Sequence, residues 1–455
     1  MKVNLKQIEK IKKKTFRDIY EYRKSFCDYP DFWTKEKKII TKIKEKIISQ
    51  TGLKDKLIFS NFNQMPGKEV LLYFHFPFCS SMCLFCNVLK LLPPNKKEML
   101  NYIDYLKREL DLYLNNTNLK EKTVKALYFG GGTPAEMSNE GLLCFINYLK
   151  KNLKFDQDFD FTIEAHPKII ISPLGLKILN NFKKSGVNRI SLGIQSFNDL
   201  VLKINHRDHT LEEAIRSVKI LKNFGFILNI DMMFGLPGQN YQDIQKDLKV
   251  LEKLKPSSIE YFRLEHVNPK LCSLYDLNKL LFVSEDDLWE MNKLIYQWLL
   301  KNNYEQNGTL EENNQNYRYR YFCLKSIPYL GFGRGAASHF KSLRFINMTN
   351  LKDYYQMLDQ KNLPVAIYYQ LNKKEQAVRD FYYSLQLKRG VDKYEFRRKY
   401  GFSTSDFFGS FIKNFKNFGL IVEDKNFIKL SDLGTFFVSD ICFSLTKYAD
   451  KEIFS

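Results

Sequence analysis

From Val70 to Leu264 the chain alternates short apolar stretches with stretches of helical periodicity, and few folds accept that pattern. Candidate strands are Val70–His75, Ala126–Phe129, Phe161–Ala165, Arg189–Gly193, Phe226–Met233 and Ser258–Leu264. Between the first two, KKEMLNYIDYLKREL puts Leu100, Ile103, Leu106 and Leu110 on one helical face. LEEAIRSVKILKNFG reads as another helix, stopped by Gly225. Strand–helix repetition over this length predicts an α/β fold built on a parallel sheet. Six such units predict a parallel (β/α) barrel, complete or partial. The chain shows no internal repeat.

The flanks read differently. Residues 1–65 predict a basic helical extension, in which Ile39, Ile43 and Ile47 recur at helix spacing among lysines. Pro66-Gly67 then punctuates the chain. After His339 the pattern changes to helices followed by a small hairpin, with Leu420–Val422 and Phe427–Leu430 as its strands and the turn at Asp424–Asn426. A winged-helix-like module fits this, and so does a helical cap. The expected domains are an extension (1–65), a barrel core (66–340) and a C-terminal accessory domain (341–455).

Composition narrows the class. Apolar residues make up 44% of the 455 and charged residues 27%, which excludes wholesale disorder and a collagen-like chain. No apolar run approaches the roughly 20 residues of a membrane span, and MKVNLKQIEKIKKKTF lacks a signal-peptide core, so a cytoplasmic protein is expected. The net charge is +20, and residues 2–56 alone hold 17 basic against 8 acidic residues. An acidic partner would account for this excess. So would AT-rich codon usage, given the abundance of Lys, Asn, Ile, Tyr and Phe beside scarce Arg.

Three of the eight cysteines, Cys79, Cys83 and Cys86, fall within eight residues in YFHFPFCSSMCLFCNV, and the others are scattered. That is unlike a disulfide framework, and it suits a metal or cluster site in a reducing compartment. Thiolates hold iron–sulfur clusters, and three ligands on a four-iron cluster leave one iron open to a small molecule. A structural zinc site would want a fourth ligand from a second pair, which the chain lacks.

Polar and glycine motifs stand at the ends of the following strands. Tyr128–Pro134 reads YFGGGTP, and FTIEAHP carries Glu164. RISLGIQSF carries Gln195, and NIDMMFGLPGQ carries Asp231. Ligand-binding residues of parallel barrels gather at the C-terminal strand ends. Each motif alone suits an ordinary structural role; their joint placement is hard to explain by packing.

The C-x3-C-x2-C loop after a first barrel strand resembles the signature of the radical S-adenosylmethionine (SAM) superfamily. YFHFPFC, YFGGGTP, RISLGIQSF, HRDHT, DMMFGLPGQ and YLGFGRGAAS, in this order, resemble its oxygen-independent coproporphyrinogen III oxidase-like family over about Val70–His339. The resemblance implies a 4Fe-4S cluster on Cys79, Cys83 and Cys86, and one or two SAM molecules. Cleavage of the cluster-bound SAM would yield a 5′-deoxyadenosyl radical. It implies further that Phe85 packs on adenine and that Tyr73 lies near the methionyl part. Gly131, Gly132 and Thr133 would line the SAM site, and Glu164, Gln195, Arg207 and Asp231 would contact ribose or carboxylate groups. Gly331, Gly333 and Gly335 would face a second ligand. No catalytic residue is singled out: His75 and His209 read as structural or catalytic histidines.

The implied activity is radical SAM chemistry on a tetrapyrrole, by oxidation or by methylation with ring opening. The partners would be that substrate and a flavodoxin- or ferredoxin-like electron donor, without nucleic acid. Two further branches stay open: a class C methyltransferase acting on another aromatic substrate, and a haem chaperone without radical turnover. Val88 stands where the oxidase branch has a further cysteine. Ala337 stands where the chaperone branch has a histidine. Arg318, Arg320 and Arg334 are candidate partners for propionates, or solvated surface charge.

Overall fold

The computed structural model describes residues 51–65, 67–264, 283–304 and 318–438, with 441, 444 and 445. Most of the expected basic extension, with Ile39, Ile43 and Ile47, lies outside the described residues. The chain divides into two compact units that interleave in sequence. The larger takes residues 43–298 and 328–368, and the smaller takes 1–42, 299–327 and 369–455.

The described part of the larger unit begins with α1 (Thr51–Asn63) and β1 (Glu69–Phe76). Then come α2 (Lys96–Asn116), β2 (Thr123–Gly131), α3 (Asn139–Asn152), β3 (Lys154–Ala165), the short α4 (Pro167–Ile171) and α5 (Gly175–Lys184). They are followed by β4 (Arg189–Gln195), α6 (Asp199–Ile204), α7 (Leu211–Asn223), β5 (Ile227–Phe234), α8 (Tyr241–Leu254) and β6 (Ser258–Arg263). The predicted six parallel strands are therefore present, in the spatial order β1 to β6.

The sheet does not stop there. β7 (Tyr329–Phe332) joins β1 in parallel on its other side, and β8 (Ala337–Phe340) and β9 (Leu343–Asn347) continue antiparallel. After α9 (Leu351–Asp359), β10 (Val365–Gln370) forms the far edge. Among the described residues the ten strands form one open sheet with β6 and β10 at its edges, so the barrel is partial. The change of pattern expected after His339 comes later: β9, α9 and β10 precede the expected helices, the first of which lies in the KKEQAVRDFYYSL stretch. LRFIN and VAIYYQ are runs of five and six residues with aromatic and β-branched side chains, too short to show a period of their own. The sheet thus runs past residue 340.

Residue alternation explains how the site is placed. Phe74, Phe76, Phe129, Phe161 and Phe332 point to the helix-covered face, where Phe74 stacks on Phe332 at 4.7 Å and meets Phe145 of α3 at 5.0 Å. Burying each such ring contributes about 1.5–3 kcal/mol. The residues between them, Tyr73, His75 and Tyr128, must then face the other way. Helix boundaries follow local chemistry. α7 opens on a capping box of Thr210 and Glu213, and the chain leaves it through Gly225 at φ +68°. Of the expected α2 stripe, Ile103, Leu106 and Leu110 are buried, joined by Tyr102, Glu109 and Tyr113.

Over residues 373–430 the smaller unit has winged-helix order. It runs α10 (Lys373–Leu385), β11 (Val391–Asp392), α11 (Lys393–Tyr400), α12 (Thr404–Asn417), β12 (Ile421–Glu423) and β13 (Phe427–Leu430). The strands form a sheet in the order β11-β13-β12. The expected hairpin is present, with Ile421 opposite Leu430. Phe381, Phe396, Phe408 and Phe411 build its aromatic core. No helix among the described residues is long and apolar enough to cross a membrane.

Candidate active site at the strand ends

The three cysteines sit on the loop that leaves β1. Backbone bonds from Cys79 N–H to Leu91 O (2.9 Å) and from Leu91 N–H to Pro77 O (2.7 Å) close its base. Glu136 accepts from Ser80 N–H (2.8 Å) and Ser80 Oγ (2.6 Å), pinning the stretch between the first two cysteines. Cys79 and Cys83 are buried, Cys86 is half-buried, and none is in a disulfide. Cys79 Sγ lies 3.2 Å from Thr133 Oγ1, and Cys83 Sγ lies 3.3 Å from Ser81 Oγ and 3.6 Å from an Arg207 guanidinium nitrogen. Burial pushes the Cys79 thiol up, opposed by its contacts with Thr133 and Ser81.

The glycine motif closes over this loop from β2. Gly131 has φ +115°, and a Cβ there would sit 2.5 Å from His75 Cε1. A Cβ on Gly132 would run into the Phe78 carbonyl. Gly132 and Thr133 donate from N–H to Phe76 O and Phe78 O at 2.7 and 2.8 Å. These glycines are therefore required by the close approach of two backbones as well as by any ligand.

Three carboxylates line the neighbouring strands. Glu164 of β3 accepts from Tyr128 OH and Gly131 N–H, both at 2.9 Å, and burial pushes it up to about 7. Asp231 of β5 accepts from Ser191 Oγ (3.0 Å) and Asn229 Nδ2 (2.6 Å). Burial, then the nearby negative charges of Glu260 and Glu164, raises it well above the usual carboxylate range. Glu260 pairs in register with Asp231 on β6. Arg207 donates to the Gly193 carbonyl and Cys83 Sγ, while its Nε is buried with no hydrogen-bond partner. Gln195 ends β4 at φ +75°.

The other expected residues separate into distinct environments. Tyr73 lies between Tyr128 (5.9 Å, 27°) and Tyr329 (6.2 Å, 29°). Phe85 packs on the apolar cluster of Leu84, Val201, Met233, Leu236 and Leu264. His75 is a satisfied histidine: one ring nitrogen meets Tyr73 OH at 3.1 Å and the other meets Leu89 O at 3.0 Å. The carbonyl can only accept, so Nε2 carries the proton, and burial lowers the pKa to about 4. Gly333, at φ +97°, has no room for a Cβ against His75 O and Tyr102 OH, both 2.7 Å away. Arg334 donates through Nε to Thr349 O, and its Nη1 is buried without a hydrogen-bond partner. Arg318 and Arg320 belong to the smaller unit, where Arg320 binds Gln386 at 3.1 Å and Arg318 lies over the Phe322 ring.

His209 is buried beside His166, their rings 5.2 Å apart and nearly perpendicular. With Asp208 they make a cluster of metal-ligand type. The tautomer argues against a metal there. His166 Nδ1 accepts the Lys168 N–H at 3.2 Å, so Nε2 holds the proton and faces Asp208 at 3.2 Å. A neutral imidazole in that state has no second lone pair to give.

Sequence reading missed Tyr128, Glu136 and Glu260. The inward phase of SIEYFR on the sixth strand was the available signal for Glu260. The chemistry of the assembled site fits the implied cofactors. Three sulfur donors share one loop, and a buried Arg207 nitrogen on the guanidinium beside Cys83 has no hydrogen-bond partner.

Comparison with known proteins agrees. Residues 73–251 match the family model described as Radical SAM superfamily. The haem chaperone HemW of Bacillus subtilis (strain 168) is 28% identical over 375 residues, covering 80% of this chain and 95% of the relative. The oxygen-independent coproporphyrinogen III oxidase of Escherichia coli (strain K12) is 24% identical over 406 residues, covering 84% and 86%. The solved structure of coproporphyrinogen III oxidase (HemN) from Escherichia coli matches with a TM-score of 0.74 at 22% identity, over 86% of this chain and 93% of that one. The chain carries a radical SAM domain on the HemN fold and is a homologue of HemW and of the oxygen-independent coproporphyrinogen III oxidases.

Proposed function

We propose that the chain is a radical SAM enzyme acting on a tetrapyrrole. Cys79, Cys83 and Cys86 would hold a 4Fe-4S cluster, which when bound supplies the electron that cleaves SAM. The observation that carries this reading is the convergence, at the C-terminal ends of β1 to β5, of a three-thiol loop, a glycine cradle, two buried carboxylates and Arg207. Glu164 and Asp231, raised by burial, suit hydrogen bonding to ribose hydroxyls. The orphaned Nε of Arg207 suits a ligand carboxylate. Tyr73, Gly131, Gly132, Thr133 and Gln195 would complete the SAM site, and Phe85 would cover the adenine. The electron donor would be a flavodoxin- or ferredoxin-like protein, and the basic surface suits an acidic one.

A second reading, a haem chaperone, is favoured by the match to HemW over nearly that protein's whole length. The two separate on one experiment. The protein is purified without oxygen, reconstituted with iron and sulfide, and incubated with SAM, a strong reductant and either coproporphyrinogen III or haemin. Consumption of a tetrapyrrole together with 5′-deoxyadenosine supports the enzyme. Stoichiometric haemin binding, with SAM and both tetrapyrroles left intact, overturns it for the chaperone.

A further inference from the structure

Glu109 lies on the buried face of α2, is 1% exposed, and has no role in the site described above. Its carboxylate accepts three hydrogen bonds. Oε2 takes Gly333 N–H at 2.7 Å and Tyr354 OH at 2.6 Å, and Oε1 takes Asn347 Nδ2 at 2.6 Å. Asn347 Nδ2 also donates to Gly333 O at 2.9 Å. Both backbone polar groups of Gly333 are thus held by one pair of side chains.

The next link runs through the same helix. β1 and β7 pair in register as far as Phe74 and Phe332, and there the ladder ends. Beyond it the Tyr102 hydroxyl takes over: it accepts Arg334 N–H at 3.1 Å and donates to His75 O at 2.7 Å. His75 in turn donates from its ring to Leu89 O, at the far end of the cysteine loop. A Cβ on Gly333 would collide with His75 O and Tyr102 OH, so there is no slack at this junction.

A glutamine could not replace Glu109 here. Its amide would turn an N–H₂ either toward the donor Asn347 Nδ2 or toward the donors Gly333 N–H and Tyr354 OH. Packing alone does not call for a buried carboxylate, which costs free energy unless its bonds are needed. We propose that Glu109 is a positioning residue that locks the Gly333–Arg334 turn onto the end of β1, and through Tyr102 and His75 couples that turn to the cysteine loop. The catalytic half of the consequence rests on the reading of that loop as a cluster site.

The test is hydrogen–deuterium exchange on the full chain, comparing wild type, Glu109→Gln and Tyr354→Phe. Peptides covering 329–337 and 77–91 report the turn and the loop, and a peptide within α8 reports fold stability. Glu109→Gln is expected to speed exchange at least tenfold in both the turn and the loop while leaving α8 unchanged. Tyr354→Phe, which keeps the ring and the carboxylate, is expected to act in the same direction more weakly, so the test survives if Glu109→Gln folds poorly. Acceleration confined to the turn would overturn the coupling. Equal acceleration in α8 would reduce Glu109 to a stability residue and overturn the proposal. After reconstitution Glu109→Gln is expected to keep its iron while 5′-deoxyadenosine formation falls at least tenfold, since small misplacements of binding groups are costly. A wild-type chain that cleaves no SAM would count against the proposed function, while the exchange data would still decide the role of Glu109.

Discussion

Gly131→Ala tests the packing of the site most severely. Gly131 sits at φ +115°, where an L-residue is strained by about 1–3 kcal/mol. The added Cβ would also lie 2.5 Å from His75 Cε1 and 2.6 Å from Nδ1, whereas real Cβ contacts essentially never fall below 3.0 Å. One of the partners must move by at least 0.5 Å. His75 cannot give way freely, because its ring is held by Tyr73 OH and Leu89 O. Overpacking of this kind costs roughly 1–3 kcal/mol, so the expected destabilisation is roughly 2–6 kcal/mol in total. Displacing His75 also breaks the bond to Leu89 at the end of the cysteine loop, so iron uptake should fall with stability. The assay is urea unfolding of the purified chain, paired with iron and sulfide content after anaerobic reconstitution. Gly67→Ala is the control: it has φ +90° and nothing within 4 Å of the new Cβ, so it should show the strain alone and full iron uptake. A Gly131→Ala protein within 0.5 kcal/mol of wild type, with full iron, would refute the reasoning.

Further expectations follow from the same geometry. Changing Cys79, Cys83 and Cys86 together to Ala should abolish iron–sulfur absorbance while far-UV circular dichroism stays native, and retained cluster would move the ligands elsewhere. His75→Phe should cost about 1–3 kcal/mol in urea unfolding, since the Leu89 carbonyl loses its donor, and an unchanged midpoint would show that water replaces the ring. The pH dependence of stability should include Glu109. Burial lifts its folded pKa from the ordinary 4.5 to about 7 against the pull of its three hydrogen bonds, so stability falls as pH rises from the unfolded value through 7, while the carboxylate form gains the bonds that hold the turn. The shift corresponds to about 3 kcal/mol between those limits. Glu109→Gln should therefore flatten the decline in stability between pH 5 and 8, and an unchanged slope would contradict the assignment.

Elements that declare themselves locally were legible in the sequence. The six parallel strands, the Gly225 helix stop and the C-terminal hairpin follow from alternation and turn residues within a few positions of each other. The cysteine loop was legible because its ligands are close in sequence. Glu109 was not, because an acid between Arg108 and Leu110 reads as a solvated helix position. Its partners Gly333, Asn347 and Tyr354 are 224, 238 and 245 residues away. Arg189, fully buried against Asp160 on the neighbouring strand, was equally hidden at the start of an apolar run. β9 and β10 escaped because their short runs gain strand character from the β8 edge they extend, a tertiary effect with no local signal. The pairing of Glu260 with Asp231 depended on register, which only the assembled sheet supplies.

SAM cleavage by the reconstituted chain decides whether the cysteine loop carries a radical-generating cluster. The chain, reconstituted without oxygen and reduced, is mixed with SAM, and 5′-deoxyadenosine and methionine are quantified by mass spectrometry against the triple cysteine variant. Wild type is expected to form both products in a cluster-dependent way, and the variant neither. A wild-type chain that binds zinc at these cysteines and takes up no iron–sulfur cluster, or that holds a reducible cluster yet leaves SAM intact with every tetrapyrrole tried, would contradict it.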